Sequence, residues 1–110
     1  MLDEQQFRMK SDASLTRLER ALEKAAAQYE FDVDRHEGAL TVEFEDPPAR
    51  FVVSPNSPVR QIWVSARVQS FKLDWSETAD DFVLPSDGRN LRQLLADVIG
   101  QQIGETLSLS

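Results

Sequence analysis

The 110-residue sequence contains no cysteine and a single histidine. Without cysteine there is no disulfide framework, no iron–sulfur cluster on the chain's own thiolates, no zinc ribbon and no thiol nucleophile. One histidine excludes the multi-histidine catalytic metal sites. Glycine occurs only at positions 38, 88, 100 and 104, so no Gly-rich phosphate loop can form, and no elbow motif frames a serine. No stretch approaches the roughly 18 apolar residues of a membrane helix. Met1 to Ser14 is polar and mixed in charge, without the apolar run of a signal segment. Bases are outnumbered: 12 Lys and Arg stand against 19 Asp and Glu, a net charge of −7. That balance argues against nucleic acid and anionic membrane as partners and favours cations or basic protein surfaces. A soluble protein of a reducing compartment is expected.

What is present is ordinary globular material, 41% hydrophobic and 28% charged, of a length that suits one domain over 1–110. Leu15, Leu18, Leu22, Ala25 and Tyr29 recur at the three-and-four spacing of one buried helical stripe, with Phe7 and Ala26 near it, and predict a helix over roughly 3–28. From Glu30 the period becomes two. Phe31 and Val33 alternate with Asp32 and Asp34, His36-Glu37-Gly38 supplies a turn, and Leu40, Val42 and Phe44 alternate with Thr41, Glu43 and Glu45. Asp46-Pro47-Pro48 breaks this strand. Further short strands are expected at 51–53, 61–66, 71–75 and 82–84, with Ser54-Pro55-Asn56-Ser57-Pro58 as a loop. Leu91, Leu94, Leu95, Val98, Ile99 and Ile103 then return to helical spacing up to Gly104, followed by a short tail. This order predicts an α+β fold, with two helices on one face of a five- to six-stranded antiparallel sheet and the other face left to solvent.

Charge is unevenly placed. Residues 1–46 carry 12 acids and 6 bases, residues 47–75 one acid and 4 bases, and residues 76–110 6 acids and 2 bases. On a helix of about 100° per residue, Asp12, Glu19 and Glu23 project within roughly 40° of one another. Glu30, Asp32 and Asp34 follow and would extend the same acidic edge if the strand runs beside the helix. Carboxylates suit hard cations in open, weak sites, and such a stripe is equally the solvated face of a helix. Trp63 shares its strand face with Gln61, Ser65 and Arg67, because Ile62 and Val64 take the apolar parity. It is either an interface anchor or covered by a loop or the tail. The two prolines of the Ser54–Pro58 loop would hold Asn56, with Gln61, beside Trp63, unless the loop is a plain connection. His36 beside Glu37 is either a metal ligand or solvated. No carboxylate pair lies in an apolar pocket that would raise a pKa, so no enzyme chemistry is expected.

These residues resemble frataxins. The resemblance runs over essentially the whole chain: Gly38-Ala39-Leu40-Thr41-Val42, above all Pro58-Val59-Arg60-Gln61-Ile62-Trp63-Val64-Ser65, then Lys72-Leu73-Asp74-Trp75, Asp87-Gly88-Arg89-Asn90-Leu91-Arg92-Gln93-Leu94-Leu95 and Gly104-Glu105-Thr106-Leu107-Ser108-Leu109. It implies a two-layer α/β sandwich that binds iron, Fe²⁺ or Fe³⁺, weakly along an acidic ridge. It also implies docking on the cysteine desulfurase and the scaffold of iron–sulfur cluster assembly. Carried over, the ridge is Asp12, Glu19, Glu23, Glu30, Asp32 and Asp34, and the docking residues are Asn56, Gln61 and Trp63. A monomeric protein of the bacterial cytoplasm is implied, acting as iron donor or regulator. The chain departs from the family pattern at Lys24-Ala25-Ala26-Ala27-Gln28, where bacterial members carry more acids, and at Arg67-Val68-Gln69-Ser70, where they have a Gly-rich turn. The alternatives are a ferroxidase-type iron-oxidising or iron-storage protein and a plain interaction module. A di-iron site of the Glu-x-x-His type has no counterpart in the sequence.

Overall fold

The computed structural model describes residues 2–109. Helix α1 (Glu4–Ala26) starts at a capping box: the Asp3 carboxylate accepts from the Gln6 amide at 2.8 Å while the Gln6 side chain accepts from the Asp3 amide at 3.1 Å. This satisfies two of the N–H groups that a helix start leaves without partners. Helix α2 (Leu91–Ile103) starts the same way on Asn90 and Gln93, and it stops at Gly104, whose φ of 72° continues the chain in the left-handed region. Between them run β1 (Asp32–His36), β2 (Ala39–Glu45), β3 (Pro48–Asn56), β4 (Gln61–Ala66), β5 (Gln69–Ser76) and β6 (Asp81–Val83). Each pairs antiparallel with the next, so the sheet order is the chain order.

Alternation along the strands makes one sheet face apolar. Leu40, Val42, Phe44, Phe51, Val53, Ile62, Val64, Ala66 and Leu73 are buried there, in one core with Leu15, Leu18 and Leu22 of α1 and Leu94, Leu95, Val98 and Ile99 of α2. Both helices therefore cover the same face, as the periodicity predicts, and the fold is the two-layer α+β sandwich expected. Phe7 meets Phe82 edge-on at 5.7 Å, and Phe44 bridges Phe31 and Phe51 at 5.6 and 4.9 Å. Each such buried ring contributes about 2–3 kcal/mol by transfer from water.

Several boundaries differ from the sequence expectation. Ser54, Pro55 and Asn56 are not loop residues: they continue β3, opposite Trp63, Ile62 and Gln61 respectively. Pro55 lies past the last β2 pairing, Leu40 with Val53, so one side of β3 is already an edge that tolerates a missing N–H. The connection to β4 is only Ser57–Val59, a 3₁₀ turn closed by Arg60 in the left-handed region. Pro48 opens β3 instead of breaking the chain; only Asp46 and Pro47 form the turn. His36 ends β1, leaving Glu37 and Gly38 as the turn. The tail is also more than an appendage. It folds back over α2, with Leu109 buried, Leu107 packed against the core, and the Glu105 carbonyl close against Gly100.

Candidate functional site

Two surfaces collect the singled-out residues. On α1, the buried face is Phe7, Ser11, Ser14, Leu15, Leu18, Ala21 and Leu22, which leaves Asp12 and Glu23 exposed and Glu19 half-buried at its margin. β1 is the edge strand of the sheet and runs beside this margin. Its side chains alternate. Val33 and Arg35, paired with the buried Val42 and Leu40, turn toward the helix layer, while Asp32 and Asp34, paired with Glu43 and Thr41, turn to the open face. The edge thus splits the six acids. Asp12 and Glu19 belong to the helix side, and Asp32 and Asp34 to the outward side. Asp32 stands directly opposite Glu43, a like-charge pair across the ladder, with Arg50 next beyond Glu43. Such pairing is destabilising for a sheet.

Arg35 was not among the sequence candidates. Its Nη2 donates to Asp12 Oδ1 at 2.7 Å, and its Nη1 donates to Thr16 Oγ1 at 2.9 Å and to Glu19 Oε1 at 3.4 Å. Glu23, Glu30, Asp32, Asp34 and Glu43 have no ion pair among the described residues. Also among the described residues, no three His, Cys, Asp or Glu side chains converge as a ready metal cage. At the Asp32 end of β1 lies an open cleft of about 1050 Å³, lined by Glu30, Asp32, Glu43, Glu45, Asp46 and Glu105 and by the last residues of both helices. Helix C-termini carry negative partial charge, so their dipoles add to the carboxylates in favouring cations. Among the described residues, the one ion-pair partner of His36 is Glu37, at 3.9 Å, with both side chains exposed.

The second surface is the open sheet face. Trp63 projects from β4 with 37% of its surface exposed, and among the described residues neither loop nor tail covers it. Its Nε1 donates to Gln61 Oε1 at 2.9 Å, and Gln61 Nε2 donates in turn to Asp74 Oδ1 at 2.9 Å. Lys72 holds its Nζ 5.0 Å from the centre of the indole ring. Asn56 is the cross-strand neighbour of Gln61. Val52, Ser54, Ser65 and Ser70 complete a shallow hollow of about 290 Å³ beside the indole. The indole is thereby fixed before any partner arrives, which lowers the ordering cost of binding. Asp74 and Lys72 were missed in the sequence. The alternation of Phe71, Leu73 and Trp75 does place them on the polar parity, but their meeting with Gln61 and Trp63 depends on the β4–β5 register.

The frataxin-like domain family matches residues 1–105. The iron–sulfur cluster assembly protein CyaY of Azotobacter vinelandii is 36% identical over 76 residues, covering 69% of this chain and 68% of that protein. The protein of the same name from Dechloromonas aromatica is 29% identical over 108 residues, 98% of this chain and 99% of that one. Among solved structures, frataxin from Psychromonas ingrahamii superposes with a TM-score of 0.84 over 99% of both chains at 19% identity, which establishes the shared fold. No helix among the described residues is long and apolar enough to cross a membrane.

Proposed function

The chain belongs to the frataxin-like family, and on that premise we propose that it serves iron–sulfur cluster assembly as a monomeric, single-domain cytoplasmic protein, an iron donor or regulator. Iron is its cargo, Fe²⁺ or Fe³⁺ held weakly by Asp12, Glu19, Glu23, Glu30, Asp32 and Asp34. Asn56, Gln61 and Trp63 dock on the cysteine desulfurase and its scaffold. The observation that carries this is the exposed Trp63, locked by Gln61, Asp74 and Lys72 on a mostly polar sheet face. Exposed, pre-ordered aromatic side chains are what interfaces use as anchors. The acids support the iron role in a second way. The Asp32–Glu43 pairing lowers the stability of the chain alone and is relieved when a cation sits between the two strands. In both roles the chemistry of cluster formation belongs to the partners, and this chain binds and positions.

The test is sulfide release by the cysteine desulfurase of the same cell, with its scaffold, in the presence of this protein. Wild type is expected to change the rate. Trp63→Ala and the double reversal Glu19→Lys/Glu23→Lys are each expected to abolish most of that change. If both variants act like wild type, the proposed docking surfaces are wrong.

A further inference from the structure

Arg35 occupies the apolar parity of β1, opposite the fully buried Leu40. A residue there would ordinarily pack beneath α1. Instead its guanidinium reaches the acidic margin of the helix, and its side chain is only 20% exposed. It sits between Asp12 and Glu19, two acids seven positions apart on one stripe, and binds both, with Thr16 as a neutral third anchor. Guanidinium–carboxylate bonds of this kind are about twice as strong as neutral ones, and a tethered cation competes at the high effective concentration of an intramolecular ligand. Farther along, Glu23, Glu30, Asp32 and Asp34 have no such occupant among the described residues.

We propose that Arg35 is a built-in counter-cation that competes for the Asp12–Glu19 half of the ridge, so that divalent metal ions fill the carboxylates beyond it first. This rests on the proposal that the ridge takes up iron, and it adds which half fills first and what sets the order. An ion that reaches Asp12 and Glu19 must displace the guanidinium, so filling that half also breaks the Arg35 tie between β1 and α1.

The experiment is an anaerobic Fe²⁺ titration of the whole chain, followed by amide resonances, with wild type and Arg35→Gln. In wild type, signals of Glu23, Asp32 and Asp34 respond at lower metal than those of Asp12 and Glu19. In Arg35→Gln, the midpoint at Asp12 and Glu19 falls by roughly two- to fivefold, the range expected for removing a partly exposed ion pair, while that of Asp32 and Asp34 moves far less. Arg35→Lys keeps the charge but loses the planar fork and falls in between. Thr16→Val, which removes one anchor and no charge, shifts Asp12 and Glu19 in the same direction as Arg35→Gln. Should Arg35→Gln fail to fold, the other two variants decide by the same criterion. A merely structural salt bridge would lower the melting temperature of the variants and leave every midpoint in place. That outcome, with Asp32 and Asp34 still responding, overturns the role of Arg35 and leaves the iron ridge standing. Silence of every ridge signal in all proteins overturns both.

Discussion

Trp63 shows how one side chain separates function from stability. It is partly exposed and its contacts on the open face are one hydrogen bond, one cation–π contact and mostly small or polar neighbours, so Trp63→Ala is expected to lower the unfolding free energy by about 1–2 kcal/mol. Loss of an interface anchor, by contrast, costs about 2 kcal/mol or more, which is roughly 30-fold in affinity. Chemical denaturation beside a binding isotherm with the desulfurase complex measures both. Asp74→Ala removes the acceptor that orients Gln61 and is expected to weaken the same association by about three- to tenfold, since a net hydrogen bond contributes about 1 kcal/mol. The parity of Trp63 was legible in the sequence because Ile62 and Val64 fix the buried face of that strand. Arg35 was not. Alternation assigns it to the apolar side, but only the packing of α1 over the edge strand brings Asp12, Thr16 and Glu19 within its reach. Hydrogen bonds made across 16 to 23 positions of sequence leave no local pattern.

At the scale of elements, both helices and the order of six strands follow from periodicity, since each segment keeps one apolar face. Prolines misled in the middle of the chain. Pro48 and Pro55 read as breakers, yet one opens β3 and the other lies where β3 has already lost its β2 neighbour. Asn56 consequently reaches the docking face as a strand-end residue paired with Gln61. The tail was unreadable for another reason. Leu107 and Leu109 are too few to form a periodic stripe, and they are useful only because Gly104 turns the chain back over α2. Gly100 gives this element its test. A Cβ there would stand 2.6 Å from the Glu105 carbonyl oxygen, a backbone atom that cannot swing away. Alanine's helix propensity favours the substitution by about 1 kcal/mol, but the clash lifts the tail and uncovers Leu107 and Leu109. Gly100→Ala is therefore expected to destabilise the fold by roughly 1–3 kcal/mol, which lowers the melting temperature by several degrees in a thermal unfolding curve.

For the molecule as a whole, the important feature is that the outward acids of the ridge share a face with the Trp63 surface. Asp32 and Asp34 project from the edge strand to the same side of the sheet as Glu43, Ser54, Gln61, Trp63 and Lys72. Acids lie at one end of that face and the indole with its lysine at the other. A partner that covers Trp63 and extends toward β1 meets carboxylates, so its own surface there should be basic. With a net charge of −7 and largely exposed acids, association is expected to weaken about tenfold between 0.05 and 0.5 M salt, as screening shortens the Debye length from roughly 14 to 4 Å. Iron on the outward acids and a bound partner should likewise oppose one another.

The most direct measurement is an amide-shift map of the isotopically labelled chain on adding its cysteine desulfurase and scaffold. If docking uses this shared face, residues 61–63 and 72–74 and the acids of β1 broaden or shift together, and prior saturation with Fe²⁺ weakens the response at β1. A response confined to α2 and the tail, with Trp63 and Asp32 unmoved, would contradict it.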